Sequence, residues 1–205
     1  FLKEKVRVIC PDLPGYGKSD KPAKRSDYSY QKQVDWMVQW LKENKLEDLT
    51  FFGQDWGGLI GLRVVSQEPD RFSRVAVGNT GLPYNPRVPE GVLKQRKAFI
   101  KSNKTLTFSD IYKNLRGMRG EPAAHQVLKF MYWQKYCWDT EDIPVGLIMS
   151  MIGGGRKKIN NVAYYCFVQM GVEKLYPIKP EIAKAFDAPY PCREYKMGVR
   201  SMPMQ

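Results

Sequence analysis

The chain has 205 residues, of which 43% are apolar, and a formal charge of +12. That length and apolar content suit one folded domain with an inserted lobe and exclude a disordered chain. No apolar run approaches the roughly 20 residues of a membrane-spanning helix, so no span is expected.

The first ten residues, "FLKEKVRVIC", have no signal-peptide pattern. They read as a helix end running into a strand over Val6 to Cys10. Entry at a strand without a starting Met predicts a piece of a longer chain. A loop dense in Pro, Gly, Asp and Ser follows, "CPDLPGYGKSDKP". Ser29 is placed to cap the next helix, in which Val34, Met37, Val38 and Leu41 recur at helical spacing and face a core. Trp36 and Trp40 lie on a neighbouring stripe. Leu49 to Phe52 reads as a short buried strand. Gly57 to Gln67 is apolar and helical and is closed by Pro69. Val75 to Val77 is the next strand. Strand, helix, strand, helix, strand in that order predicts an α/β fold with a mostly parallel sheet covered by helices.

The texture changes after Gly81. "LPYNPRVPEG" is a proline-rich exit, and residues 91 to 185 read as mostly helical without a clear strand. "MIGGGRKK", residues 151 to 158, is a flexible basic break. At "AFDAPYPCREYKMGVRSMP" the chain returns towards the sheet. The expected division is a core over residues 1–83, a helical cap over 84–185 and a return to the core over 186–205. Residues 83 to 120 hold nine Lys and Arg against two Asp and Glu. The densest stretch, "KQRKAFIKSNK", reads as a solvated helix face, since no zinc finger, helix-turn-helix or RNA-binding aromatic motif accompanies it. No nucleic-acid partner is expected. The four cysteines lack a CxxC pair, and with one histidine a zinc site is not expected. Cys10 and Cys166 read as buried thiols, and a reduced, cytoplasmic chain is the default.

The chemistry concentrates in "GQDWG", residues 53 to 57. The pattern is glycine, any residue, nucleophile, any residue, glycine, on a strand-to-helix turn where backbones crowd. The helix that follows points free N–H groups and its positive dipole end at the turn, which favours an ionised carboxylate. Asp55 needs no base to attack carbon. The ester it forms must then be hydrolysed by a separately activated water. Trp56 offers an indole N–H, a donor only, which suits an anionic leaving group such as halide. A lone tryptophan is more often a packed core residue, and its place beside Asp55 is what argues for the donor role.

These residues together resemble the haloalkane dehalogenases of the α/β-hydrolase superfamily. "VICPDLPGYGKSDKP" resembles that family's strand and loop before the elbow, and "FFGQDWGGLIGLRVV" its elbow and following helix. "VGNTGLP" resembles the strand end leading into the cap, and "AFDAPYPCREYKMGVRSMP" the cap-to-core return. Gln54 before the nucleophile favours this family over the epoxide hydrolases, which more often carry His there. The resemblance implies an α/β-hydrolase core with an inserted helical cap. It implies Asp55 as nucleophile, Trp56 as a halide-binding donor, and the backbone N–H of Trp56 in the oxyanion hole. In "FMYWQKYCWDT", Trp133 matches the second halide-binding position in one branch of the family, with cap packing as the other reading. Trp138 reads as a packing aromatic.

The family's His-Gly-rich oxyanion loop precedes the present residue 1, and its catalytic acid and histidine follow residue 205. The general base and acid are therefore not present in this chain. His125 lies within the cap, so its position does not match the base, and it reads as a surface or packing histidine. The expected reaction turns a small halogenated aliphatic substrate and water into an alcohol, a halide ion and a proton, with no metal or organic cofactor implied. The chain alone is not expected to turn over. Two other readings stay open. One is an epoxide hydrolase with the same Asp nucleophile, served by tyrosines among Tyr112, Tyr132, Tyr136, Tyr164 and Tyr165. The other is a non-catalytic binding protein on the same scaffold.

Overall fold

In a computed structural model, the structure describes residues 4–81, 88–115, 123–153 and 179–205. The first long element is helix α1, Tyr30–Glu43. The Ser29 side chain accepts the backbone N–H of Lys32 at 3.1 Å, satisfying one of the free donors of the first turn. Val34 and Leu41 are buried and Met37 and Val38 pack around them, on the stripe their spacing predicts, and Trp40 from the neighbouring stripe also packs there. The helix stops at a left-handed residue, Lys45, with φ 51°. Leu46 N–H then reaches back to Leu41 O at 3.1 Å and Lys45 N–H to Lys42 O at 3.0 Å, which closes the last turn. Replacing Ser29 with Ala should lower unfolding free energy by about 1 kcal/mol with an unchanged denaturant slope. Urea titration followed by circular dichroism measures this.

Two parallel strands, β1 at Leu49–Gln54 and β2 at Phe72–Gly78, flank helix α2 at Asp55–Gln67. Their register pairs Phe51 with Val75 and Gln54 with Gly78. A short 3-10 turn at Pro69–Arg71 ends the crossover, as Pro69 requires. Phe51 points under α2, where a side chain on Gly61 would overlap its ring. Phe52, one residue on, points to the opposite face and is 70% exposed. The expectation of a buried strand is therefore corrected. Only the Phe51 face of the sheet meets α2; Phe52 stands on the open face, and Val75 and Val77 of β2, which the register puts on the Phe51 face, are exposed as well. The expected strand over Val6 to Cys10 is also corrected. This segment is irregular, Val6 and Val8 are exposed, and no described strand pairs with it. β-branched residues favour an extended backbone, but a strand exists only where a neighbour completes the ladder.

The described residues after 88 are helical, as read from the sequence. They form α3 at Glu90–Lys101, α4 at Phe108–Leu115, α5 at Ala123–Asp139, α6 at Val145–Gly153 and α7 at Pro180–Asp187. A second core joins them through Leu106, Phe108, Ile111, Tyr136, Cys137 and Ile143. Lys135 on α5 is almost fully buried. Its Nζ donates to Ile100 O and Ser102 O at the end of α3 and pairs with Asp139 at 2.7 Å. Those carbonyls carry the negative end of the α3 dipole, which is why a buried ammonium is tolerated there. The basic face of α3 is solvated in the main. Lys94 pairs with Glu90 at 3.0 Å, and Arg96 Nε donates to Gln134 Oε1 at 2.7 Å.

The return to the core is helix α8 at Met197–Ser201, set between two 3-10 turns. Val199 packs on the second core and Met202 is buried in the first, so this segment stitches the two together. Gln134 Nε2 adds a bond to Pro203 O at 2.6 Å. Among the cysteines, Cys137 is buried, whereas Cys10 is exposed, which corrects its reading as a buried thiol. Without the strand expected around it, Cys10 has no sheet to sink into. Cys166, Tyr164, Tyr165 and most of the basic break at 151–158 lie outside the described residues. No described helix is long and apolar enough to cross a membrane.

Candidate active site

Asp55 is the first residue of α2, immediately after β1, and its φ is 49°. A non-glycine residue pays a steric cost there, of order 1–2 kcal/mol, so surrounding structure must enforce it. The end of β2 does so. Asn79, the residue after β2, is left-handed too, with φ 49°. Its carbonyl accepts the Asp55 N–H at 3.2 Å, and Thr80 Oγ1 donates to Asp55 O at 2.8 Å. Both left-handed residues follow the paired strand ends, Gln54 and Gly78. The C-terminal edge of a parallel sheet is where α/β folds place ligands and reacting groups.

Crowding at the elbow falls on the first glycine of the pattern but not on the second. A Cβ on Gly53 would sit 2.8 Å from Gly58 Cα, and one on Gly58 would sit 2.3 Å from Thr80 Oγ1. Gly57, the second glycine of "GQDWG", has nothing within 4 Å of such an atom. The close approach between helix and strands thus runs through Gly53 and Gly58.

The Asp55 carboxylate is exposed and, among the described residues, holds no hydrogen bond or ion pair. Behind it, the first-turn N–H groups of α2 have no partner within the helix, and the Trp56 N–H is one of them. The Trp56 ring is half-buried. It packs on the first core with its centroid 6.5 Å from that of Tyr30, whose hydroxyl donates to Leu59 O at 2.8 Å. Packing and proximity to Asp55 therefore belong to the same side chain.

Trp133 lies on α5, half-buried against the second core, and stacks with Tyr136 at 6.3 Å. Trp138, one and a half turns on, carries the Arg25 guanidinium 3.8 Å above its ring. His125 is exposed in the first turn of α5. Among the described residues no three His, Cys, Asp or Glu side chains are grouped as metal ligands are.

Tyr16, which the sequence reading passed over, packs on the first core, as Trp56 does. Its hydroxyl makes a long 3.4 Å bond to Gly198 O on α8. Burial pushes its pKa well up, and Tyr190, Tyr28, Cys137 and Asp55 add to the rise. It is therefore a neutral phenol. Tyr28, buried with its hydroxyl on Pro22 O at 2.9 Å, is pushed up to about 12 by the same desolvation. Tyr16 belongs to the loop that resembles the segment before the elbow, and that position was its one sequence signal; Tyr28 lies beyond that loop.

The model of the alpha/beta hydrolase fold family matches residues 1–134. A haloalkane dehalogenase of Psychrobacter cryohalolentis is 64% identical over 77 residues, which are 38% of this chain and 25% of that protein. A haloalkane dehalogenase of Mycolicibacterium paratuberculosis is 32% identical over 197 residues, covering 96% of this chain and 46% of that protein. The chain thus spans less than half the length of these curated relatives. The tetrameric haloalkane dehalogenase DpaA of Paraglaciecola agarilytica superposes with a TM-score of 0.57 at 22% identity, covering 95% of this chain and 45% of that one, a likeness of fold. A left-handed carboxylate between two parallel strand ends, a helix launched from it and a family match over residues 1–134 agree: the chain belongs to the alpha/beta hydrolase fold family.

Proposed function

We propose that the chain carries the nucleophilic part of a haloalkane dehalogenase-like hydrolase, with a core over 1–83 and 186–205 and a cap over 84–185. The observation that carries this is the exposed, unpaired Asp55 carboxylate on a left-handed strand-to-helix turn, in a chain similar to haloalkane dehalogenases. One Asp55 oxygen bonds to the carbon bearing the halogen as the carbon–halogen bond breaks, and the electron pair leaves with the halide. Trp56 and Trp133 donate their indole N–H groups to the departing ion. Such donors help most as charge builds on the halogen, so they lower the barrier more than they tighten substrate binding. The Trp56 backbone N–H steadies the oxyanion formed when water attacks the ester.

That second step needs a base. The one histidine of these 205 residues, His125, is exposed on α5 and is not read as that base. The products are an alcohol, a halide and a proton. The chain on its own is expected to release about one equivalent of bromide from a 1-bromoalkane and then stop, with the alkyl group on the peptide containing Asp55. Ion chromatography and peptide mass spectrometry read the two quantities. Steady release past one equivalent overturns the missing-base reading. Diol formation from an epoxide, without bromide release, replaces the dehalogenase with the epoxide hydrolase. Of the five candidate tyrosines for such a reaction, Tyr132 packs against Phe99 and Tyr136 against Phe108, and the Tyr112 side chain lies outside the described ones.

A further inference from the structure

Three segments far apart in the chain converge where α8 packs on both the turn at Arg25–Asp27 and helix α5. Arg25 reaches across the seam. Its Nη2 donates to Trp138 O at 2.6 Å while the guanidinium lies on the Trp138 ring. The ring covers one face of the guanidinium. Most of its five edge donors are left over. Arg200 enters the same seam from α8, and its Nε is buried without a hydrogen-bond partner. A guanidinium cannot relieve such a position by losing its proton, so a buried, unmade bond there is costly.

The two arginines also bear on each other. Burial first, and then the charge of Arg200, lowers the Arg25 pKa, while Asp139 opposes the shift. Asp139 is already held by Lys135 at 2.7 Å. Arg25 and Lys135 thus share one carboxylate, while the Arg200 Nε keeps its unmade bond. Cys137 lies beside them, but burial pushes its thiol well up, so it packs as a neutral group and supplies no counter-charge.

We propose that Arg25 and Arg200 form a binding site for a small oxyanion, of the carboxylate or phosphate type, at the seam between the core loop and cap helix α5. Forked guanidinium donors match the paired oxygens of such ions, whereas a spherical halide meets the charge alone. The bound ion would accept from Arg200 Nε, neutralise the like-charge pair and tie the turn at 25–27 to α8.

The test uses the 205-residue chain, titrated with phosphate, acetate and chloride at matched ionic strength. Thermal midpoint and tryptophan emission are followed. A saturable rise in midpoint with phosphate or acetate, absent with chloride, is expected. The lower of the two half-saturation points identifies the preferred oxyanion. Emission should change in parallel, and Trp138→Phe should remove the emission change but keep the midpoint rise. Arg200→Lys keeps the charge and loses the fork, so it should weaken binding by about tenfold or more. Arg25→Lys should do the same, and it decides the matter if the Arg200 variant loses its far-ultraviolet dichroism. An equal response to chloride, undiminished affinity in the folded lysine variant, or no saturable response to either oxyanion overturns the site.

Discussion

Asp55→Asn should abolish halide release. The amide oxygen is a far poorer nucleophile than the carboxylate, so the first-step rate should fall at least ~1,000-fold. The alkyl adduct on the peptide containing residue 55 should vanish with it. The same substitution should leave the fold intact, for a backbone reason. Residue 55 has φ 49°, a region that asparagine tolerates better than most residues. The bonds holding the turn, Asp55 N–H to Asn79 O and Thr80 Oγ1 to Asp55 O, involve main-chain atoms of residue 55 and survive the change. Thermal midpoints of the two proteins should therefore agree while their single-turnover halide yields do not. An adduct that persists after Asp55→Asn would place the attacking group elsewhere, and the elbow would then be a structural turn only.

Gly58→Ala should be the costliest small substitution at the elbow, at about 1–3 kcal/mol of unfolding free energy. Its methyl group would sit 2.3 Å from Thr80 Oγ1 and 2.7 Å from Thr80 Cγ2. Thr80 would have to move, and its bond to Asp55 O would go with it. Gly57→Ala, one residue earlier in the same helix, meets nothing within 4 Å. It should be neutral or stabilising by up to ~1 kcal/mol, because alanine is the better helix former. Urea unfolding of the two variants side by side reads the contrast. Equal costs would mean that helix α2 does not approach β2 through Gly58. The single-turnover halide yield should follow the same order, since only Gly58→Ala disturbs the hold on the turn.

How much of this was legible in the sequence differs from element to element. Ser29 and the spacing of Val34, Met37, Val38 and Leu41 announced α1 and its buried face, because capping and amphipathic period are local properties. The elbow was legible for a similar reason. "GQDWG" after an apolar strand and before an apolar helix requires one tight turn, and the turn formed. Val6 to Cys10 has the composition of a strand without being one, since pairing depends on a neighbour. Phe52 is apolar and 70% exposed, because an apolar side chain states a tendency to be covered and not what covers it. The "GQDWG" pattern pointed to Gly57, while the crowding fell on Gly58, whose partner is Thr80, 22 residues away. Nothing local to Arg25 indicated that it would lie on Trp138, or that Arg200 would share the seam.

The sequence by itself determined the helices, the strand-turn-helix order around Asp55, the identity of the group at the bend and the family it resembles. These follow from interactions between residues a few positions apart. Tertiary structure alone decided which glycine is crowded, which face of the sheet is covered, that the Tyr16 hydroxyl reaches Gly198 and that Arg25 lies on Trp138. Those outcomes depend on contacts between distant segments, and neither composition nor periodicity encodes which segments meet.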